Sequence, residues 1–171
     1  MARRMDCTIN FGAPAEKIYQ DFTSREYWET LMDAYRFVTP QSEITTFTSN
    51  GSGTDIVFMQ NLPRMYLPPI ARPVVPVDMI ITREQHFEPY DHEGRRGKGS
   101  YRASIPHGPG HFGGRYFLTE TGSGCVLRLA SVCKVYIPLI GGALEDLILH
   151  HIKQLFDAEE AFTADWIAKH H

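Results

Sequence analysis

Residues 143–168 read ALEDLILHHIKQLFDAEEAFTADWIA, and their spacing decides the fold. Leu144, Leu147, Ile148, Ile152, Leu155, Phe156, Phe162, Trp166 and Ile167 recur at intervals that place them on one side of a helix. At 1.5 Å per residue such a helix is about 39 Å long. Glu145 and Asp146 in its first turn and Lys169 at its end suit the helix dipole. A helix of this length with one apolar side needs a broad apolar partner.

The chain before it supplies that partner. Residues 6–11 alternate, with Cys7, Ile9 and Phe11 on one side, and read as a half-buried strand. Pro14 then opens a short helix carrying Ile18, Tyr19 and Phe22. Ser24 is a candidate N-cap for a second, with Tyr27, Trp28, Leu31 and Met32 as its buried stripe. Asp21, Glu26 and Glu29 read as solvated helix residues. Strands follow over 42–49, 54–61, 76–88, 95–105, 112–120 and 125–136, joined by glycine-rich or polar turns. Turns between consecutive strands exclude a doubly wound fold or TIM barrel, which need crossover helices. The expectation is a single domain, 1–171, of class α+β: a curved antiparallel sheet of about seven strands around the long C-terminal helix, with two short helices after strand 1. A sheet curved around a single helix leaves space for an apolar pocket, expected at a ligand's size of roughly 300 Å³ or more.

With 171 residues, 17 Lys and Arg against 20 Asp and Glu, and a net charge of −3, the composition argues against a dedicated nucleic-acid or acidic-membrane binder, while leaving room for a local basic patch. No run approaches the roughly 18 apolar residues of a membrane span. The basic residues Arg3 and Arg4 lead into polar positions rather than a signal sequence. The three cysteines, Cys7, Cys125 and Cys133, make no paired framework. The expectation is a cytoplasmic protein, monomeric or homodimeric, with no nucleic-acid partner, no integral membrane association and no cofactor.

Several motifs point to no chemistry. Gly108 to Gly113 spells G-x-G-x-x-G, but a strand rather than a helix follows, and Pro109 removes a donor. His150 and His151 point about 100° apart on a helix and make a poor chelating pair; no metal site is expected. No serine sits in G-x-S-x-G.

The candidate ligand residues come from strand parity. Arg83 shares parity with Met79 and Ile81 on the face expected to turn inward; Tyr101 is inward on the next strand, and Arg115 goes with Phe117 on the one after. An arginine on an apolar face must be paired or hydrogen-bonded, so Arg83 and Arg115 are candidates to hold the polar head of an otherwise apolar ligand. A bulge would instead turn either to solvent. His151 and Leu155 lie along the helix stripe facing the same space. Residues 62–76 hold five prolines yet are apolar, so they form neither central strand nor regular helix. They read either as a rigid cover or as a gate whose Met65, Tyr66, Leu67 and Ile70 touch ligand.

The element order resembles the helix-grip fold of the START-like superfamily (SRPBCC), which includes Bet v 1-like proteins and polyketide cyclases. The second half is similar to an actinobacterial branch of unknown function. The carrying residues are Gly94-Arg95-Arg96-Gly97, Pro106-His107-Gly108-Pro109, the run from Val135 to Gly142 with its Pro-Leu-Ile-Gly-Gly, Glu145, and Glu159-Glu160 through Trp166. The resemblance implies a fold and a cavity, with no catalytic residue to carry over. Three functions stay open: non-catalytic binding or transport of a lipid, isoprenoid or polyketide; a cyclase, dehydratase or hydrolase using cavity Arg, Tyr or His; or a structural or regulatory protein with a filled interior.

Overall fold

The computed structural model describes residues 2–37, 40–66, 69, 72–73, 77–104, 110–137 and 141–170. Strand β1 (Arg3–Phe11) leads into helices α1 (Ala15–Phe22) and α2 (Arg25–Tyr35). Strands β2 (Glu43–Asn50), β3 (Gly53–Leu62), β4 (Met79–Phe87), β5 (Arg96–Ser104), β6 (Gly110–Thr121) and β7 (Gly124–Val135) follow, and α3 (Gly141–His170) ends the chain. The strands form one antiparallel sheet in the order β1-β7-β6-β5-β4-β3-β2. Each hairpin neighbour pairs with the next, and β1 closes onto β7 with Phe11 opposite Cys125. This curved, open sheet with its two short helices and long C-terminal helix is the helix-grip arrangement expected from the sequence.

Local chemistry explains the joins. Pro14, with φ −59°, precedes α1, and the Glu120 carboxylate of β6 accepts the Ala15 N–H at 2.7 Å. A side chain from the sheet thus satisfies a helix donor that Pro14 cannot. Ser24 sits at the N-cap of α2 in extended conformation, but its hydroxyl makes no capping bond. Gly97 lies under the Tyr19 ring, where a Cβ would stand 2.3 Å from ring carbons. That close approach lets the Tyr19 hydroxyl reach the Lys98 carbonyl at 2.9 Å and the Glu88 carbonyl as well, fixing α1 over β5.

The concave face carries the core. Ile9 and Phe11, Ile56 and Phe58, Phe87, Tyr101, Tyr116 and Leu118, and Leu127 and Leu129 are buried there, facing Leu144, Leu149, Phe156 and Trp166 of α3. Asp21, expected in solvent, is buried and accepts a hydrogen bond from the Trp166 indole N–H at 3.0 Å. A buried indole N–H needs an acceptor, and Asp21 of α1 supplies it.

Phe156→Ala and Trp166→Ala should each destabilise the protein by about 3–5 kcal/mol, as deletion of a buried aromatic does. Phe156 borders unfilled space and belongs at the low end; Trp166→Ala also removes the indole hydrogen bond to Asp21. Urea melts in which Glu160→Ala costs more than both would contradict the helix-face assignment.

Candidate functional site

Arg83 points inward from the middle of β4 and is 3% exposed. Its charge is met by Glu159 of α3, with one nitrogen at 2.8 Å and the other at 3.4 Å from the two carboxylate oxygens. The Gln85 amide, oriented by its neighbours, accepts from the guanidinium at 2.5 and 2.7 Å and donates to the Tyr116 hydroxyl at 2.7 Å. The cation also lies over the rings of Phe58, Tyr101 and Phe156 at 5.2, 5.6 and 5.8 Å. Burial is the largest single influence and opposes its charge, but the Glu159 carboxylate together with Tyr116 and Tyr35 more than offsets it and holds the guanidinium firmly protonated.

A hydroxyl network extends from this pair. The Tyr35 hydroxyl donates to Glu159 at 2.7 Å. Tyr27 and Thr163 share a hydrogen bond at 2.7 Å, and the Thr163 hydroxyl donates to the Glu159 carbonyl at 2.7 Å. On the sheet, Tyr101 and Ser131 are joined at 2.5 Å. Sheet, α2 and α3 therefore each contribute polar groups to one buried junction.

Beside this junction lies a cavity of about 40 Å³. Its polar lining is Arg83, Glu159, Glu160 and Thr163; its walls include Phe11, Trp28, Leu31, Phe87, Leu129 and Phe156. At roughly 15 Å³ per water on this measure, it holds two or three waters. This pocket is far smaller than the roughly 300 Å³ expected of a ligand-sized one. Aromatic rings fill the concave face instead: Phe22 stacks on Phe87, Phe87 on Tyr116, and Trp28 packs against Phe58.

The structure brings Arg83 and Tyr101 together as expected. It turns Arg115 and Phe117 to the convex face, where Arg115 is exposed and Phe117 is 38% exposed. The register explains the reversal: Tyr101 lies opposite Gly114, and Gly99 opposite Tyr116, so the even-numbered residues of β6 share the inner face of β5. Gly114 is required there, because a Cβ would stand 2.2 Å from the Ala130 carbonyl oxygen and 2.9 Å from the Tyr101 ring. Met65, on a 3-10 turn over Arg64–Tyr66, is 70% exposed. Leu67 and Ile70, and the side chains of Tyr66, Met79, His151 and Leu155, lie outside the described residues. Glu159, Gln85, Tyr116 and Thr163 were missed. For Glu159 and Thr163 the signal was present: they continue the stripe of Phe156 and Trp166 at helical spacing. Among the described residues, no group of three or more His, Cys, Asp or Glu could hold a metal ion, and no helix is long and apolar enough to cross a membrane.

Comparison with known proteins gives the fold a lineage. A family model described as "Protein of unknown function (DUF2505)" matches residues 6–167. The uncharacterized protein Rv0481c of Mycobacterium tuberculosis is 30% identical over 176 residues, covering 98% of each chain, and the uncharacterized protein Mb0491c of Mycobacterium bovis matches equally. Among solved structures, TTHA0849 from Thermus thermophilus has 17% identity and a TM-score of 0.58, covering 100% of both chains. The norcoclaurine synthase of Thalictrum flavum in complex with dopamine and hydroxybenzaldehyde has 15% identity and a TM-score of 0.60, covering 100% of this chain and 89% of that one. At such identities these structures share the START-like, Bet v 1-like fold and nothing finer.

Burial pushes the weak acids of the interior upward. The hydroxyls of Tyr27, Tyr35, Tyr101 and Tyr116 are raised above the usual phenol range, chiefly by burial. The thiol of Cys125 is pushed up to about 12 and that of Cys133 to about 11, again chiefly by burial, with Glu120 and Glu145 adding to it. The unfolded chain releases these protons from pH 9.0 upward for thiols and 10.0 for phenols, while the folded chain keeps them. Stability is thus full below about pH 9 and falls above it, by up to roughly 1.4 kcal/mol per pH unit for each group. Urea midpoints should drop between about pH 9 and 11; a midpoint flat across that range would contradict the burial of these groups.

Proposed function

The chain belongs to the DUF2505 family of proteins of unknown function, and from the chemistry of its own interior we propose that it binds a hydrophobic or amphipathic small molecule, without catalysis, between the sheet and α3. One observation carries this reading: the cavity joins apolar and aromatic walls to a polar cluster of Arg83, Glu159, Glu160 and Thr163. That amphipathic lining suits a lipid, isoprenoid or polyketide that ends in a hydrogen-bonding group. Because Glu159 already meets the charge of Arg83, the favoured head group is neutral, a hydroxyl or carbonyl rather than a carboxylate. A ligand carboxylate would leave Glu159 buried beside it and uncompensated. Binding at this site requires side chains such as Trp28 and Phe156 to move aside, since about 40 Å³ does not hold a lipid chain. The raised phenols favour binding over proton abstraction, because they donate hydrogen bonds at neutral pH and do not act as bases.

The small cavity volume supports a second reading, a structural protein with a filled interior. The two diverge in experiment. Native mass spectrometry after gentle extraction from the source organism should show a bound apolar molecule. Titration of a Trp166→Phe variant with 1-dodecanol should shift the emission of Trp28, which lines the cavity, and dodecanoate should do so more weakly. A protein that carries no adduct and whose Trp28 emission ignores both probes has a filled interior.

A further inference from the structure

The convex face of the sheet has a charge pattern that the interior does not use. Phe117 of β6 stands directly opposite Lys98 of β5 on one side and Arg128 of β7 on the other. Residues opposite one another across antiparallel strands share a face, so all three project outward. Arg115, two residues before Phe117, projects with them. Lys98, Arg115 and Arg128 are exposed, and among the described residues none of them forms an ion pair. Other arginines of the same face do: Arg102 pairs with Glu84 at 2.7 Å and Arg96 with Asp91 at 3.0 Å. The nearest acid across β7 is Asp6 of β1, opposite Ala130 and so diagonal to Arg128. On the other side Glu88 lies in register with Lys98 but forms no ion pair with it, so three cations without an ion pair among the described residues surround an exposed ring in a chain whose net charge is −3.

We propose that this face, formed by β5, β6 and β7, binds single-stranded nucleic acid, with a base stacked on Phe117 and phosphates held by Lys98, Arg115 and Arg128. Strand spacing puts Lys98 and Arg128 about 10 Å apart and each about 8 Å from Arg115, a triangle wide enough to meet successive phosphates of a strand that passes over the ring. A flat aromatic ring between cations accepts a base of any sequence, because each base has a π-face. A carboxylate-rich peptide would use the cations but has no need of the ring. The composition argues against a dedicated nucleic-acid protein, yet the local patch has both features that single-strand binding requires.

The test is fluorescence anisotropy of the full chain with a labelled oligothymidylate of about twelve nucleotides, beside an abasic phosphate chain of equal length, polyglutamate and phosphatidylglycerol vesicles. At about 20 mM salt the oligothymidylate should bind, and log K should fall with log salt with a slope near −2, the value for about three phosphate contacts on a single strand. Lys98→Gln, Arg115→Gln and Arg128→Gln should each reduce that slope by about 0.7. Phe117→Leu should leave the slope unchanged and weaken the oligothymidylate about tenfold, without affecting the abasic chain. These positions are on the surface, and circular dichroism checks that each variant is folded. Absence of oligothymidylate binding overturns the proposal. So does equal binding of the abasic chain or polyglutamate with no effect of Phe117→Leu, which would assign the patch to an acidic peptide. Binding to the vesicles but not to the oligonucleotide would assign it to a membrane surface and overturns it as well.

Discussion

A guanidinium buried at the centre of a sheet must be neutralised, and in this protein the long helix does it. Arg83 leaves β4 on the concave side, and Glu159 descends from α3 to meet it with both carboxylate oxygens. Taking two such charges out of water costs several kcal/mol per ion, so the pair persists only where further hydrogen bonds complete it. Gln85, Tyr116 and Tyr35 supply those bonds, and three aromatic faces surround the cation. The consequence is positional. Once Glu159 is fixed over β4, Thr163 stands one turn on against Tyr27, and Trp166 reaches Asp21. The same pair therefore sets the helix register on the sheet and the seats of both short helices.

That arrangement also decides what the interior offers. A helix-grip fold can leave a large space; beside Arg83, rings from β4, β6, α1 and α2 meet across the concave face and border a cavity of about 40 Å³. That cavity is small and lined by apolar rings together with Arg83, Glu159, Glu160 and Thr163. Its chemistry fits a neutral polar group with an apolar body better than an anion.

Much of this was legible in the sequence because period and punctuation agreed. The helix stripe, the glycine turns and the alternation of β1 each pointed to one structure, and strand parity favoured Arg83 of β4 and Tyr101 of β5 facing inward. Strand β6 did not, since Phe112, Tyr116 and Leu118 on one parity compete with Phe117 on the other. Only the pairing of Gly114 opposite Tyr101 resolves that choice, and pairing is a long-range fact. Glu159 and Asp21 were obscured for a different reason. A carboxylate reads as solvent-facing until its buried donor is known, and both donors come from elements distant in the chain, Arg83 and Trp166. The sequence placed Arg83 inside but had no means of showing that its charge was already spoken for.

The central claim is that Arg83 and Glu159 act as one unit joining sheet to helix, and a double-mutant cycle measures that directly. Arg83→Met, Glu159→Leu and the double variant are compared by urea unfolding. Either single change leaves a buried charge without its partner and should cost about 3–5 kcal/mol. The double variant removes both charges and should cost well under the sum, with a coupling of roughly 2 kcal/mol or more. Single costs that simply add would mean the two groups do not depend on each other, and would contradict the account.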